Sequence, residues 1–226
     1  DTITGLAAGV RLTSNDMLHK GDWITVKSVD ANGIVEDMSL TTVKVRNFDN
    51  TIVTISPTTL VNGSFQNWIG MQKSGGRRVK RVVYFDFRSV RLVDETLKRN
   101  LLAKHFATED SFKLKESLQK AIDKDIQEGK DIEVLKNPAA LAPTNLQLYR
   151  KFMEKYLRQR PEVNTDLTLM VRHMEATQCG LPIEFYFFIK DKVWVNYEHI
   201  LADIMEHAYA LANEFGLKIY EQYPEQ

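Results

Sequence analysis

The sequence of 226 residues predicts an α+β protein in which a small β-barrel is followed by a ferredoxin-like α/β sandwich domain. Between residues 21 and 69, short β-rich runs alternate with turn residues, which is typical of a small barrel. Beyond residue 79, once a helical insertion at about 95–164 is set aside, the predicted order is strand, helix, strand, strand, helix, strand, which is the split βαβ pattern. Residues 70–78 contain Ser74-Gly75-Gly76 and are predicted to link the two parts.

Residues 1–20 are predicted to contain the end of a helix with a small-residue surface. Gly5 and Gly9 are four residues apart and share a face, with Ala8 beside them. Each glycine costs a helix about 1 kcal/mol relative to alanine. The small surface therefore needs a reason, and the close approach of a second helix is the usual one.

The β-rich part contains two turn signals. Asn32-Gly33 is a strong signal for a first hairpin turn, and Phe48-Asp49-Asn50 indicates a second. Pro57 is expected to stop the last strand, because proline cannot donate a hydrogen bond to the ladder. The predicted strands are residues 23–26, 34–35, 41–45 and 51–55.

The C-terminal part is predicted to combine strands with amphipathic helices. The clearest element is the last helix, in which the apolar residues from Ile200 to Phe215 follow a helical stripe. Thr144 and Gln147 fit a capping box that opens an earlier helix, which Pro161 closes. The predicted strands are residues 79–85, 167–174, 183–189 and 217–220, and the predicted helices are residues 94–107, 112–129, 144–160 and 200–215.

Composition narrows the function classes. Thirty basic residues balance thirty acidic ones, whereas a free-standing nucleic-acid binder usually carries a basic excess. The single cysteine, Cys179, excludes an intramolecular disulfide framework and a Cys-rich zinc site. No apolar run approaches the roughly 20 residues that cross a bilayer. The chain begins at Asp1 without a methionine or a signal peptide, so we expect it to be part of a longer protein.

Two clusters could carry chemistry. His199, Asp203 and His207 have the i, i+4, i+8 spacing that aligns two imidazoles and a carboxylate on one helix face, as a metal site requires. That face lies opposite the apolar stripe, so a solvated surface is the favoured interpretation. Cys179 and His173 could form a nucleophile and its base. A reactive thiol needs a depressed pKa, which nothing around Cys179 predicts.

A basic run beside Trp68 is the third candidate. Aromatic side chains next to cations can bind RNA by stacking. Because the whole chain is neutral, a solvated linker or a subunit contact is the favoured interpretation. The run consists of Lys73, Arg77, Arg78, Lys80 and Arg81.

Several segments, in their order and spacing, resemble the small-conductance mechanosensitive channels. They are Gly5-Leu6-Ala7-Ala8-Gly9-Val10, Gly21-Asp22-Trp23-Ile24, Gly33-Ile34-Val35-Glu36-Asp37, Ser39-Leu40-Thr41-Thr42-Val43-Lys44-Val45-Arg46, Asp49-Asn50-Thr51-Ile52-Val53 and Asn67-Trp68. Ser74-Gly75-Gly76-Arg77-Arg78, Lys80-Arg81 and Gly180-Leu181-Pro182 are similar to the bacterial miniconductance branch.

The resemblance implies a homoheptameric, tension-gated channel of the bacterial inner membrane that releases ions and small solutes during hypo-osmotic shock. Its transmembrane helices would precede Asp1, and this region would be cytoplasmic. Residues 1–20 would end the pore-lining helix, with packing and gating residues Gly5, Ala8, Gly9 and Leu12. Residues 21–69 would form an Sm-like β-domain, and residues 79–226 a vestibule wall. The resemblance implies no enzyme activity, no cofactor and no nucleic-acid partner.

The sequence also departs from the shortest family members. The insertion at about 95–164 departs from them, and the polar run Thr13-Ser14-Asn15-Asp16 stands where they have a more apolar segment. The family's final small β-barrel is expected to be missing or truncated, because the chain stops six residues after Tyr220. An Sm-like RNA-binding ring and a small metalloenzyme remain the alternatives, and the sequence upstream of Asp1 would separate them from a channel.

Overall fold

The computed structural model describes residues 2–222, so that Asp1 and residues 223–226 of the predicted first and last segments lie outside the described residues. The chain divides between Ser74 and Gly75 into two compact units. They are called the N-terminal unit (residues 1–74) and the C-terminal unit (residues 75–226) below.

The N-terminal unit is a five-stranded antiparallel sheet with short helices. Its elements are α1 (Thr2–Ser14), β1 (Trp23–Val26), β2 (Ala31–Met38), β3 (Val43–Asn47), β4 (Ile52–Ile55), α2 (Pro57–Asn62), β5 (Gln66–Asn67) and α3 (Ile69–Lys73). The strand order is β4-β3-β2-β1-β5. Both residues of β5 pair with β1, and within the described residues no ladder joins β5 to β4. The predicted closure into a barrel is therefore not seen, although the predicted run of short antiparallel strands is confirmed.

The first turn differs from its prediction. Asn32 and Gly33 lie inside β2, and the chain turns earlier, through a 3₁₀ turn at Lys27–Val29 that ends at Asp30 with a φ of 52°. A Cβ on Gly33 would lie 2.6 Å from the carbonyl carbon of Arg46 on β3. This glycine therefore permits close approach of two strands rather than a turn. The predicted second turn is confirmed, with Asn50 at a φ of 69°.

The core of the N-terminal unit lies on one face of its sheet. In β2, Ala31 and Val35 are buried while Asn32 and Ile34 between them are exposed, which is the alternation of a sheet with one covered face. Helix α1 contributes Leu12, which is 0% exposed. Burying such a side chain contributes about 1.5–3 kcal/mol. The full cluster is Leu12, Leu18, Ile24, Val26, Ala31, Val35, Val43, Val45, Ile55 and Leu60.

The C-terminal unit is an antiparallel sheet with helices. Its elements are β6 (Arg77–Phe85), α4 (Glu95–Ala103), α5 (Glu116–Gln127), α6 (Glu133–Lys136), α7 (Pro138–Leu141), α8 (Asn145–Gln159), β7 (Met170–His173), β8 (Leu181–Ile189) and α9 (Trp194–Glu214). The strand order is β6-β8-β7. The predicted strand at residues 217–220 is reduced to one antiparallel bridge, Ile219 with Phe85 of β6. It lies on the outer edge of β6, so the predicted α+β arrangement of two helices and four extended segments is confirmed in outline.

Helices α8 and α9 pack together against the sheet. Tyr149 of α8 is fully buried, and its hydroxyl donates a hydrogen bond of 2.6 Å to the carbonyl oxygen of Ala208 on α9. Burial raises the pKa of Tyr149. Phe185 and Phe187 of β8 belong to the same core. Because α8 lies within residues 95–164, the predicted insertion includes a helix of the sandwich core as well as exposed segments.

The predicted linker at residues 70–78 is mostly ordered. Helix α3 ends at Lys73 and β6 begins at Arg77, which leaves residues 74–76 between them. The strand starts early because β6 pairs with β8 along all nine of its residues, from Arg77 opposite Ile189 onward. None of the helices within residues 2–222 combines the length and the apolar character needed to cross a membrane.

Candidate functional site: the junction of α1 with the sheet

Helix α1 presents apolar side chains in two directions. Ala8 is 7% exposed and Leu12 is 0% exposed, because both pack within the N-terminal unit. Ile3 is 82% exposed and Val10 is 52% exposed. One side of the helix therefore packs against α2, the β2–β3 loop and the core cluster, while the other side leaves apolar surface open to a further contact.

Gly9 is the point of closest approach between α1 and the β2–β3 loop. A Cβ on Gly9 would overlap the carbonyl oxygen of Leu40 and would lie 2.7 Å from its carbonyl carbon. The loop is braced by Ser39, whose side-chain oxygen accepts from the backbone N–H of Thr42 at 3.0 Å. Since a backbone segment cannot move aside as a side-chain tip can, only glycine fits at this position of α1.

The end of α1 is tied to the sheet through one buried carboxylate. Asp22 is 7% exposed, and its Oδ2 accepts from the backbone N–H of His19 at 3.0 Å and from the side-chain Nδ2 of Asn67 at 2.8 Å. The same Nδ2 of Asn67 lies 3.3 Å from the carbonyl oxygen of Met17. A buried carboxylate requires such donors, because it has left water. The segment after α1, the start of β1 and the end of β5 therefore meet at Asp22.

Two tryptophans stack beside this network. The rings of Trp23 and Trp68 lie 4.6 Å apart at an interplanar angle of 16°. The indole N–H of Trp68 donates to the hydroxyl of Thr25 at 3.0 Å. One face of Trp68 is therefore covered by Trp23 and is closed to RNA bases, which argues against the alternative in which this ring stacks on RNA. Asp22-Trp23 and Asn67-Trp68 were both part of the resemblance, but the sequence carried no signal that the two pairs contact each other.

The four residues predicted to pack pore helices are divided by the structure. Ala8, Gly9 and Leu12 contact their own N-terminal unit, as described above. A Cβ on Gly5 would meet no atom within 4 Å. The role of Gly5 toward a neighbouring copy stays a prediction, as does the gating role of all four residues.

The candidate metal ligands lie on an exposed helix face. His199, Asp203 and His207 of α9 are all exposed, as predicted. The ring of His207 stacks on Tyr156 at 5.9 Å, and its Nδ1 lies 2.7 Å from the carbonyl oxygen of Asp203. In the described part of the chain, no group of three or more His, Cys, Asp or Glu side chains is arranged to hold a metal ion.

The remaining candidates have ordinary structural positions. Cys179 is an exposed free thiol in the β7–β8 turn, and His173 is an exposed residue at the end of β7. The guanidinium of Arg77 lies 4.3 Å over the ring of Tyr197, and Lys80 lies 3.8 Å from the carboxylate of Glu184. These two cations of the basic run are therefore engaged within the C-terminal unit.

Residues 1–70 match the family described as "Mechanosensitive ion channel, beta-domain". The small-conductance mechanosensitive channel MscMJ of Methanocaldococcus jannaschii is 33% identical over 67 residues, which are 30% of this chain and 19% of that protein. The chain therefore matches less than a fifth of the length of this curated relative.

Solved structures share the fold over nearly the whole chain. The structure of Arabidopsis thaliana MSL1 superposes with a TM-score of 0.61 at 10% identity, and the superposition covers 97% of this chain and 59% of the MSL1 chain. Helicobacter pylori MscS in its closed state has a TM-score of 0.59 at 13% identity, covering 100% of this chain and 65% of its own. At these identities the likeness concerns the fold alone.

Residues 1–70 are thus similar to the β-domain of mechanosensitive ion channels. Over nearly the whole chain, the similarity to solved channel structures concerns the fold. The match over residues 1–70 agrees with the predicted family, and the prediction that the chain is not an enzyme agrees with the channel family that it matches. The miniconductance branch stays a prediction.

Proposed function

We propose that this chain is the cytoplasmic region of a membrane-tension-gated ion channel that releases ions and small solutes during hypo-osmotic shock. The observation that carries the proposal is the packing of α1 against α2, the β2–β3 loop and the core of the N-terminal unit. Leu12 is buried in the core of the N-terminal unit, and Gly9 lies against the backbone of Leu40. A displacement of α1 must therefore be transmitted to the β-domain, or must break these contacts.

Tension supplies the driving force in this mechanism. A wider state occupies more membrane area, and tension favours it in proportion to that extra area, so no ligand is required. Transmembrane helices upstream of this chain would move with the bilayer and would pull on α1. The buried contacts of Ala8 and Leu12 would hold the lower end of α1 on the β-domain while its upper end moves.

Seven copies would form the ring. Ile3 and Val10 leave apolar surface on α1, and Gly5 leaves space for a close neighbour. In the ring, residues 21–69 would form the Sm-like β-domain beneath a bacterial inner membrane, and the C-terminal unit would form the wall of a vestibule in the cytoplasm. The miniconductance branch is favoured within the family by three short segments that are similar to it, Ser74-Gly75-Gly76-Arg77-Arg78, Lys80-Arg81 and Gly180-Leu181-Pro182.

The test uses the full-length parent protein. Patch-clamp recording in membranes that lack other mechanosensitive channels should give tension-activated currents, and expression should rescue such cells from hypo-osmotic shock. Native mass spectrometry in detergent should give a heptamer. Currents that do not respond to tension, or a closed ring of another number of subunits, would each refute the corresponding part of the proposal.

A further inference from the structure

The C-terminal unit contains a cavity that the channel function does not use. It lies between residues 105–111, which connect α4 to α5, and one face of α8, and its volume is about 310 Å³. This is the lower end of the range typical of sites for small organic molecules. All of its lining residues belong to the C-terminal unit.

Two lysines of α8 give the cavity a positive charge. Lys151 and Lys155 line it one helical turn apart, and within the described residues neither has an ion-pair partner. The carboxylates of the connecting segment do not compensate them, because Asp110 pairs with Lys113 at 2.7 Å and Glu109 lies 3.5 Å from Lys98. Two like charges on adjacent turns repel each other, so a bound anion would remove an unfavourable interaction.

Two hydroxyl side chains, the ring of His105 and two aromatic side chains of α8 also line the cavity. Thr108 and Ser111 line the cavity, and their side-chain oxygens are 3.3 Å apart. His105 lines it from a left-handed backbone conformation with a φ of 59°. Such a conformation is uncommon for a residue other than glycine. On the α8 side, Phe152 and Tyr156 supply aromatic surface.

We propose that this cavity binds a phosphomonoester carried on a ring compound, the chemical class that a nucleoside monophosphate represents. A phosphomonoester carries nearly two negative charges and three acceptor oxygens. They match the two lysines and the one hydroxyl proton that the hydrogen bond between Thr108 and Ser111 leaves over. Phe152 already contacts the rings of Phe106 and Phe215, and Tyr156 already stacks on His207, so a ligand ring would contact only the aromatic surface that lines the cavity. The proposal goes beyond the channel function and does not depend on it, because binding is a property of the C-terminal unit alone.

Isothermal titration calorimetry of the 226-residue chain tests the proposal with three probes at about physiological salt. Adenosine monophosphate is expected to bind with a dissociation constant below about 1 mM. Adenosine and inorganic phosphate, which each lack one half of the ligand, are expected to bind at least tenfold more weakly. Equal binding of adenosine would overturn the role of the lysines, and equal binding of inorganic phosphate would overturn the role of the ring. No binding of any probe at 5-mM concentrations would overturn the site itself.

Variants locate the binding. The double substitution Lys151→Gln with Lys155→Gln is expected to weaken binding of adenosine monophosphate at least tenfold. The double substitution Lys120→Gln with Lys124→Gln on α5 removes the same two charges outside the cavity and is expected to change the dissociation constant by less than twofold. Circular dichroism establishes that each variant is folded, and the single substitutions serve if the double variant is not. Unchanged binding in the folded lysine variants would overturn the proposal.

Discussion

The side-chain amide of Asn67 donates a hydrogen bond to the buried carboxylate of Asp22 at 2.8 Å, across 45 residues of sequence. The contact connects β5, near the end of the N-terminal unit, to the residue that precedes β1. The same amide lies 3.3 Å from the carbonyl oxygen of Met17 in the segment after α1. The side chain of Asn67 in β5 therefore connects the segment after α1 to the start of β1.

Replacing Asn67 by alanine should destabilise the chain. The substitution leaves a buried carboxylate oxygen of Asp22 with one donor fewer, and losing a hydrogen-bond partner to a buried charged group costs about 1–3 kcal/mol. Urea denaturation of the 226-residue chain measures the change. Gln66→Ala, on the exposed neighbour in β5, is the matched control and should cost little. Equal effects of the two substitutions would show that the Asp22–Asn67 bond does not stabilise the junction.

The two glycines of α1 should respond to alanine in opposite directions. At Gly5 an added Cβ meets no atom within 4 Å, so the helix propensity of alanine should stabilise the chain by up to about 1 kcal/mol. At Gly9 the same Cβ overlaps the carbonyl oxygen of Leu40, and such overpacking should cost about 1–3 kcal/mol. Thermal unfolding of both variants beside the parent chain measures the difference. If Gly9→Ala were as stable as Gly5→Ala, the contact with Leu40 would not constrain α1.

Local signals in the sequence predicted much of the fold. Thr144 accepts the N–H of Gln147 at 3.1 Å and opens α8 where the capping pattern placed it. Gly216, at a φ of 68°, follows the end of α9. Both features depend on residues within one helical turn of each other, so the sequence itself shows which residues interact.

Features that depend on distant segments could not be predicted in this way. Asn32-Gly33 is typical of a turn, but in the structure the missing side chain of Gly33 lets the backbone of Arg46 in the next strand approach closely. Gly9 likewise faces the loop at Leu40, where the sequence suggested a neighbouring helix. Glu184 lies in a predicted strand, yet nothing local indicates that it is 0% exposed and bound to Arg172 at 2.7 Å. Each of these depends on which segments the fold brings together.

The start of α4 should weaken in acid. The carboxylate of Asp94 accepts the backbone N–H of Leu97 at 2.8 Å, and this bond, followed by the one from Arg91, lowers the pKa of Asp94 below its usual value. A lowered pKa stabilises the folded chain above the unfolded pKa of about 3.9, and the stabilisation is lost as the pH falls through the folded value.

Comparison with Asp94→Asn isolates this effect, since asparagine keeps the cap acceptor but does not titrate. The stability advantage of the parent chain over the variant should be present at pH 6 and should shrink as the pH falls below about 4. Urea denaturation at several pH values provides the measurement. An advantage that is the same at all of these pH values would contradict the assigned role of the carboxylate. Glu206→Gln, on the exposed face of α9, serves as the control for a general loss of negative charge.

Replacing Gly9 by leucine in the full-length parent should lower the tension at which the channel opens. The leucine side chain cannot fit against the backbone of Leu40 in the arrangement described here, so α1 must move away from the β2–β3 loop. Overpacking costs about 1–3 kcal/mol per site, and the seven copies of the proposed ring multiply the penalty. If α1 is packed more tightly in the closed state than in the open state, the closed state carries the larger share of this overpacking penalty.

Gly5→Leu separates a clash with the β2–β3 loop from a clash with a neighbouring helix. It adds the same bulk at a position where only a neighbouring helix could be in contact. Patch-clamp thresholds in membranes without other mechanosensitive channels provide the comparison. A Gly9→Leu channel that assembles normally and opens at the parental tension would show that the contact of Gly9 with Leu40 is not part of the gate.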